Sequence, residues 1–337
     1  MRVMVLHNIC NHGYSLGRIY HELGHDVTIG FVNYNDRKDV LRIDPKIKQQ
    51  IIGADPTYKL ILYMRRFTRN IDLLHCNYCL FPVIAGYWCK LIDKKKYIAH
   101  ARGSDIRDID LKKYRFIIKY TIRKANLFLV TTPDLLKIGR TIRNDAAWIP
   151  NPVDTERFHQ IKPKIDLHQG FDYAVFMPAT NFELKATNSV IRQFSELPSD
   201  FCLHLVSYEP SPQDYSLSKL IKELNLEDRI FIHKRIPHTE MVQFYNASDV
   251  VIDQFGGVRA FGNVTLEALA CGKTVITEYD GRDYPEKPPI IATSVNNLAQ
   301  TLLNLGSKSN PAGRKWVLKY HSFPHVREQL KKELYRI

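Results

Sequence analysis

The feature that most constrains the fold is a repeated alternation of short apolar runs with helix-like segments. The run "MRVMVLH" precedes a loop, a helix-like segment at Leu16 to Leu23 and a second apolar run, "HDVTIGFV". Strands that alternate with helices form βαβ units, which build parallel sheets covered by helices. The chain therefore begins as a parallel α/β domain.

Two such series follow each other along the 337 residues. The first continues through "IDLLHCNY", "KYIAHARG", "ANLFLVTTP" and "AAWIPNP", and the second extends from "DYAVFMPA" to "PPIIAT". Between them, "HQIKPKIDLHQG" contains proline and lacks periodicity, which predicts a linker. Because a chain of this length is too long for one ordinary core, we predict two open α/β domains. Ligands of such sheets bind at the carboxyl ends of the strands, so the expected site is the cleft between the domains.

The end of the chain has a helical pattern with one interruption. The segment "RKWVLKYHSFPHVREQLKKELYRI" is amphipathic except at Pro324. Proline removes a backbone donor and clashes with the preceding turn. We therefore expect a break or kink at this position.

The composition indicates a soluble globular protein, with 45% hydrophobic and 25% charged residues. No apolar run approaches the roughly 20 residues of a membrane-spanning helix, and the N-terminal sequence does not fit a signal peptide. We therefore expect the six cysteines to be reduced thiols in a cytoplasmic protein.

The formal net charge of +13 favours anionic partners. The segment Leu111 to Asn126, "LKKYRFIIKYTIRKAN", interleaves six basic residues with aromatic and aliphatic ones and contains no acid. A basic amphipathic helix is typical of contact with an anionic membrane surface, and a solvated surface helix is the alternative. No nucleic-acid-binding motif is recognisable, so nucleic acid is not a predicted partner.

Several common sites are excluded by their missing motifs. No G-x-G-x-x-G follows a first strand, which argues against hydride transfer with a dinucleotide, and a P-loop is also absent. Cys76 and Cys79 form a C-x-x-C pair without a second pair or a histidine partner. Such a pair alone is a weak zinc or redox signal, and buried thiols at a strand end explain it better.

Four separate segments carry a family resemblance. In order along the chain they are "HARGSD", "NPVDTERF", "SDVVIDQF" and "FGNVTLEALACGKTVI". Together with "GHDVTI" near the start, they resemble a family-four (GT4-like) retaining glycosyltransferase of the GT-B fold. The resemblance covers nearly the whole chain. It implies two Rossmann-like domains that face each other across a cleft, with a C-terminal helix that crosses back to the N-terminal domain.

The resemblance also assigns domain roles. It implies an acceptor domain at 1–155, completed by 318–337, and a sugar-nucleotide-binding domain at 165–317.

Glu267 lies in the last of these four segments. It interrupts an apolar run, and in isolation a solvent-facing glutamate would explain it. The family places the second carboxylate of a Glu-x7-Glu motif here, where it accepts hydrogen bonds from ribose hydroxyls. The adjacent helix start would face the diphosphate with free N–H groups and its positive dipole end. The remaining predicted donor-site residues on this side are Arg235, Ile236, Phe261, Gly262, Asn263 and Val264.

Two positions depart from the family pattern. Arg259 replaces the first motif glutamate, and Thr180 replaces an arginine on the pyrophosphate, whereas Lys185 is retained. A lysine can neutralise the leaving diphosphate as a point charge, and Thr180 can donate one hydrogen bond. We hypothesise that Arg259 binds an anion and supplies the missing charge. The alternative is a solvent-exposed arginine on a glycine-flanked loop.

The first domain supplies further candidates. By resemblance, His100 lies near the donor sugar and the reacting centre, so His100, Lys185 and Glu267 are the predicted catalytic residues. Gly13 would let the first loop approach a phosphate, and a plain tight turn is the alternative. On the acceptor side we place three residues of a polar loop at a strand end: Arg102, Ser104 and Asp105. For Ser104 and Asp105 the favoured alternative is a structural role as a helix cap.

The resemblance implies a hexosyltransferase-type enzyme of polysaccharide biosynthesis. It would move a sugar from a UDP or GDP sugar to a glycan or lipid-linked acceptor with retention, without a metal or other cofactor. It would be cytoplasmic and peripheral on the inner face of the membrane. The alternatives are a non-catalytic sugar-nucleotide-binding or glycan-binding protein, favoured by the changes at Thr180 and Arg259, and a GT-B sugar-nucleotide epimerase.

Overall fold

The computed structural model describes residues 1–8, 12–31, 47–51, 67–178, 185–207, 212–257, 260–305 and 309–337. These residues form two compact units. The first unit comprises Met1–Pro152 and Phe323–Ile337, and the second comprises Val153–Ser322. The division falls close to the predicted limits at 155 and 318, while the acceptor and donor roles of the two units stay predictions.

The first unit contains a parallel sheet with the strand order β3-β2-β1-β4-β5-β6-β7. β4 is buried along its whole length, and only the first residue of β5 is exposed, as expected for strands covered by helices on both faces. The strands are β1 (Arg2–Leu6), β2 (Asp26–Phe31), β3 (Lys48–Ile51), β4 (Leu73–Asn77), β5 (Lys96–Ala101), β6 (Leu127–Val130) and β7 (Ala147–Trp148).

Five α-helices lie in the described part of the first unit. They are α1 (His12–Glu22), α2 (Phe81–Asp93), α3 (Arg115–Lys124), α4 (Pro133–Ile142) and α11 (Phe323–Leu334). The predicted basic helix at Leu111 to Asn126 is thus limited to α3, and a short 3₁₀ turn at Ile109–Leu111 precedes it.

The C-terminal helix returns to the first unit. α11 buries Phe323, Val326 and Leu330 in the apolar cluster that contains Leu16 of α1 and Val3 of β1. The predicted break is confirmed, because the preceding helix ends at His321, before extended Ser322. Pro324 then occupies the first turn of α11, where its missing N–H has no partner to lose.

The second unit contains another parallel sheet, with the order β10-β9-β8-β11-β12-β13. Its strands are β8 (Tyr173–Met177), β9 (Phe201–Val206), β10 (Ile230–His233), β11 (Val250–Ile252), β12 (Thr274–Thr277) and β13 (Ile291–Ala292). Its described helices are α5 (Thr187–Phe194), α6 (Pro212–Glu223), α7 (Met241–Ala247), α8 (Asn263–Ala270), α9 (Leu298–Leu303) and α10 (Pro311–His321).

The predicted linker at 159–170 is wrong, because this segment packs on the second unit. The Ile161 N–H donates to Asn246 Oδ1 at 3.0 Å, and the Lys164 N–H donates to Gln243 Oε1 at 2.8 Å. Leu167 is buried in a small apolar cluster. Side-chain amides of α7 therefore supply the hydrogen-bond acceptors that the sequence of the segment itself does not reveal.

Among the described residues, no helix is long and apolar enough to cross a membrane.

Candidate functional site

Asp253 organises the strand end that faces α8. It follows β11, is buried, and accepts hydrogen bonds at Oδ2 from the Gly262 N–H at 2.8 Å and from the Thr265 hydroxyl at 2.7 Å. Its Oδ1 atom pairs with Lys185 Nζ at 2.5 Å. One carboxylate therefore fixes both the predicted diphosphate lysine and the start of α8.

The absence of a side chain at Gly262 lets the start of α8 approach Asp253 closely. A Cβ atom on Gly262 would lie 2.9 Å from Asp253 Oδ1, so a larger residue would push the carboxylate away. Gly262 is the N-cap and makes no side-chain capping bond, while Asn263 and Val264 are half-buried. The first N–H groups of a helix and its dipole favour an anion at such a position.

Glu267 is buried, which rules out the solvent-facing alternative. His238 Nε2 lies 2.7 Å from its Oε1 atom, and the Tyr245 hydroxyl donates to Oε2 at 2.9 Å. A carboxylate oxygen has two lone pairs, so each oxygen retains capacity to accept from a ribose hydroxyl. The glutamate thus sits in a site where its orientation is fixed by two ring-bearing side chains.

The pKa values of these partners follow from the carboxylate. Burial alone lowers the pKa of His238, but the charge and hydrogen bond of Glu267 outweigh it and raise the pKa above 6.5. Burial and Glu267 both raise the pKa of Tyr245, so the phenol remains a proton donor.

The other predicted donor-site residues lie in different surroundings, and their roles stay predictions. Phe261 packs in an aromatic cluster, with its ring centroid 4.9 Å from that of Tyr279 and 5.3 Å from that of Tyr284. Arg235 is exposed, whereas the neighbouring Ile236 is buried. The predictions for Thr180 and Arg259 lie outside the described residues.

His100 lies in the interior of the first unit. It is fully buried, with Nδ1 2.9 Å from His75 Nε2 and Nε2 3.3 Å from Thr131 Oγ1. Burial, and then the charge of Arg102, lower its pKa well below 6.5, so the ring is neutral. Contact with a donor sugar would require exposure of this ring, and its catalytic role stays a prediction.

Arg102 gathers oxygen atoms from residues at or just after the ends of β4, β6 and β7. Its guanidinium donates to the side chain of Asn77, to Thr131 Oγ1 at 3.0 Å and to Asn151 Oδ1 at 2.7 Å. Sequence reasoning missed these three partners. The register between β4 and β5 pairs Asn77 with His100, so aligning the polar ends of adjacent strands would have identified Asn77.

Asp105 ties two loops together. It is fully buried and accepts from the backbone N–H groups of Cys79 at 2.7 Å, Arg102 at 3.0 Å and Gly103 at 2.7 Å. Burial raises its pKa despite these bonds. Asp105 therefore cross-links two loops, and its acceptor-side role stays a prediction.

Two further predicted residues have local structural contacts. Ser104 Oγ lies 3.1 Å from the Tyr78 hydroxyl. A Cβ atom on Gly13 would lie 2.7 Å from the His7 carbonyl oxygen, and the following Tyr14 N–H donates to Asn8 Oδ1 at 2.8 Å. Gly13 therefore allows α1 to pack tightly against the loop after β1.

The C-x-x-C pair consists of buried thiols, as predicted. Cys76 and Cys79 are both fully buried and unpaired, and burial raises the pKa of each thiol well above its ordinary range. A thiol with a raised pKa is a poor metal ligand and nucleophile.

Two family profiles match the chain. The profile described as Glycosyltransferase Family 4 matches residues 11–157, and the profile described as Glycosyl transferases group 1 matches residues 159–282. No curated protein sequence matches this chain significantly.

Solved structures of glycosyltransferases share the fold over the full chain. HepE from Anabaena, in complex with UDP-glucose, is 17% identical, with 100% of each chain covered and a TM-score of 0.82. Sucrose-phosphate synthase from Thermosynechococcus elongatus is 18% identical, with 100% and 98% covered and a TM-score of 0.77. The lipopolysaccharide outer core galactosyltransferase WaaB is 12% identical, with 99% of each chain covered and a TM-score of 0.70.

These likenesses agree with the two parallel-sheet α/β units. The chain belongs to the GT4-like glycosyltransferases of the GT-B fold.

Proposed function

We propose that this protein transfers a hexosyl group from a UDP sugar to a glycan or lipid-linked acceptor, with retention of anomeric configuration and without a metal. The bond between the anomeric carbon and the diphosphate breaks, and a bond to an acceptor oxygen forms. The acceptor hydroxyl loses its proton to the leaving diphosphate. Such chemistry depends on stabilising the leaving group more than on a strong base.

The observation that carries this proposal is the pairing of Lys185 with Asp253 beside the start of α8. Asp253 holds the Lys185 ammonium group beside the start of α8, where the ammonium group and the helix N-terminus would act on the same anion. A fixed cation and oriented N–H groups stabilise the charge that develops on a leaving diphosphate, and they supply what a metal ion provides elsewhere. Glu267 would bind the ribose hydroxyls from the same helix.

UDP is favoured over GDP by the structural neighbours. HepE was solved in complexes with UDP, with UDP and glucose, and with UDP-glucose.

The first test is calorimetric titration with UDP, GDP, ADP, CDP and dTDP. We expect UDP alone to bind tightly, and we expect Lys185→Ala to weaken its binding on the order of tenfold.

Incubation with UDP sugars and candidate acceptors should then give a product whose anomeric configuration, read by NMR, matches that of the donor. Activity should survive EDTA. Binding without any transfer or donor hydrolysis would favour the non-catalytic alternative, and release of an epimer without acceptor would favour the epimerase.

We further propose that the first unit binds an anionic membrane surface, where a lipid-linked acceptor would lie. α2 and α3 lie side by side, because the Tyr87 and Tyr120 hydroxyls are 3.2 Å apart and Lys90 Nζ donates to the Lys124 carbonyl at 2.8 Å. The two helices and the segment before α3 expose nine large apolar or aromatic side chains: Phe81, Trp88, Leu91, Ile92, Leu111, Tyr114, Phe116, Ile117 and Tyr120.

The arrangement of these side chains suits a bilayer surface. Phe116 is 73% exposed and shares a helix face with Tyr120, whereas Ile118 and Ile122 on the opposite side are buried. Lys119 pairs with Asp110 at 2.6 Å. The same segment carries six cations: Lys112, Lys113, Arg115, Lys119, Arg123 and Lys124. Apolar insertion combined with attraction to anionic headgroups is the physical basis of interfacial binding.

Sedimentation with vesicles tests this surface. Wild-type protein should bind phosphatidylglycerol vesicles, bind phosphatidylcholine vesicles weakly, and lose most binding at high salt. Phe116→Ser with Ile117→Ser should abolish binding. Leu303→Ser, which removes a 48% exposed leucine of the second unit, is the matched control and should leave binding unchanged. Equal loss in both variants, or salt-independent binding to both lipids, would contradict the proposal.

A further inference from the structure

Four buried side chains form a continuous hydrogen-bonded chain through the first unit. The Tyr20 hydroxyl of α1 lies 2.8 Å from His75 Nδ1, and His75 Nε2 lies 2.9 Å from His100 Nδ1. His100 Nε2 lies 3.3 Å from Thr131 Oγ1. None of the four is more than 2% exposed. The chain therefore extends from a helix on the sheet face, across β4 and β5, to the residue after β6.

The direction of every proton in this chain follows from its last member. The Thr131 hydroxyl donates to the Ala101 carbonyl at 2.8 Å, so its oxygen acts as acceptor toward its other partners. His100 must then donate from Nε2, which leaves His100 Nδ1 unprotonated. His75 must donate to that atom from Nε2, and its own Nδ1 accepts from Tyr20. Each neutral imidazole has one donor and one acceptor, so every donor in this series of hydrogen bonds faces an acceptor.

We infer that Tyr20 and His75 are positioning residues, which lock His100 as the neutral Nε2–H tautomer and thereby orient Thr131 to receive Arg102. The inference rests on the proposed function only in its last step, where Arg102 serves the acceptor side of the transfer.

The physical consequence concerns the Thr131 oxygen. It accepts from His100 Nε2 and from Arg102 Nη1 at 3.0 Å while its proton goes to Ala101. If His100 carried its proton on Nδ1 instead, its N–H group would face the Nε2–H group of His75. Its unprotonated Nε2 would then face the Thr131 oxygen, whose proton goes to the Ala101 carbonyl. An unsatisfied buried polar pair is costly, so the Thr131 hydroxyl would turn from the Ala101 carbonyl toward His100. That turn would redirect the lone pair that accepts from Arg102.

The burial of the ionisable groups agrees with this arrangement. Burial lowers the pKa of His75 and of His100 well below 6.5, and burial raises the pKa of Tyr20 far above its ordinary value of 10. All three side chains are therefore neutral throughout the physiological range, as the directional chain requires.

NMR of protein labelled with ¹⁵N in histidine tests the tautomers without any substrate. Spectra of His75→Gln and His100→Gln assign the two rings. We expect both rings to be Nε2–H tautomers between about pH 6 and 8, the range that contains the ordinary imidazole pKa. An Nδ1–H tautomer or a charged ring at either position overturns the inference.

A matched pair of variants tests the positioning role. His75→Gln keeps a donor near the Nε2 position, whereas His75→Asn reaches only toward Tyr20. We expect the Arg102 Nε–H signal to stay sharp in His75→Gln and to broaden in His75→Asn. If both variants fold, the kcat of transfer should fall on the order of tenfold in His75→Asn alone, with little change in the donor KM. An unchanged Arg102 signal in both variants, or equal losses in both, contradicts the positioning role.

These readouts separate the inference from the proposed function. If the tautomers and the Arg102 signal are as expected but no transferase activity is found, the proposed function is refuted and the inferred tautomers stand. If transfer is found with an Nδ1–H tautomer, the inferred tautomers are refuted and the proposed function stands.

Discussion

The imidazole of His238 and the carboxylate of Glu267 face each other, with Nε2 2.7 Å from Oε1. The side chain of His238 is 41% exposed and that of Glu267 is 10% exposed, so the pair lies at the edge of the site. A ligand hydroxyl that binds Glu267 would share the carboxylate with this histidine. The protonation of His238 therefore bears on both stability and ligand binding.

Stability should depend on pH through His238. Because its folded-state pKa is raised, the ion pair contributes in full below pH 6.5 and its contribution is lost as the pH rises through the folded-state pKa. The exposed ring limits the effect to about 0.5 kcal/mol. We expect wild type to exceed His238→Gln in free energy of unfolding by more at about pH 5.5 than at about pH 8.5. Urea unfolding at both pH values measures this, and a gap that widens with pH would contradict it.

Glu267 should be needed for ligand binding more than for folding. Glu267→Ala removes the carboxylate and leaves the buried Tyr245 hydroxyl unpartnered, which should cost about 1–3 kcal/mol of stability. UDP should no longer raise its Tm. Tyr245→Phe is the matched control, because it loses the same hydrogen bond but keeps the carboxylate. It should retain a UDP-dependent rise in Tm, and loss of that rise in both variants would make Glu267 a structural residue only.

Within the site of the second unit, substitution of Asp253 should cost the most free energy of unfolding. Asp253→Asn removes the buried charge that faces Lys185, whose side chain is only 14% exposed. Breaking a buried ion pair by changing one partner should cost about 3 kcal/mol. Thr265→Val removes one neutral donor to the same carboxylate and should cost about 1 kcal/mol. Equal losses in chemical denaturation would show that the charge of Asp253 is unimportant.

Gly262 should tolerate alanine only when Asp253 is shortened. The backbone at Gly262 has φ of −77°, which suits any residue, so the obstacle is the contact between the added Cβ atom and Asp253 Oδ1. Gly262→Ala should cost about 1–3 kcal/mol in the wild-type background. In an Asp253→Ala background the same change should be nearly neutral. A double-mutant cycle measured by urea unfolding checks this, and additive losses would contradict it.

The fold was predictable because its signal is local. Each strand of a parallel sheet covered on both faces is a short apolar run, and "KYIAHA" and "TVIT" were readable as such before any contact was known. The break before α11 was equally local, since Pro324 alone dictates it.

The polar network was less predictable because its partners are distant in sequence. Asp253 bonds to three residues that are distant in sequence: Lys185, Gly262 and Thr265. The segment "SDVVIDQF" that contains Asp253 gives no local sign of these partners. The motif identified Glu267, but nothing local indicated His238, 29 residues away. The packing of residues 159–170 is equally hard to predict, because the side chains that accept from their N–H groups belong to α7.

The return of α11 to the first unit has a consequence for biosynthesis. Residues 323–337 complete an apolar cluster whose other members include β1 and α1. The second unit is continuous from Val153 to Ser322, so all of it leaves the ribosome before the first unit has its final helix. Domains of a nascent chain generally fold in order from the N-terminus. Here the order should be reversed, with the second unit native first, while the first unit stays incompletely packed until residues 323–337 are available.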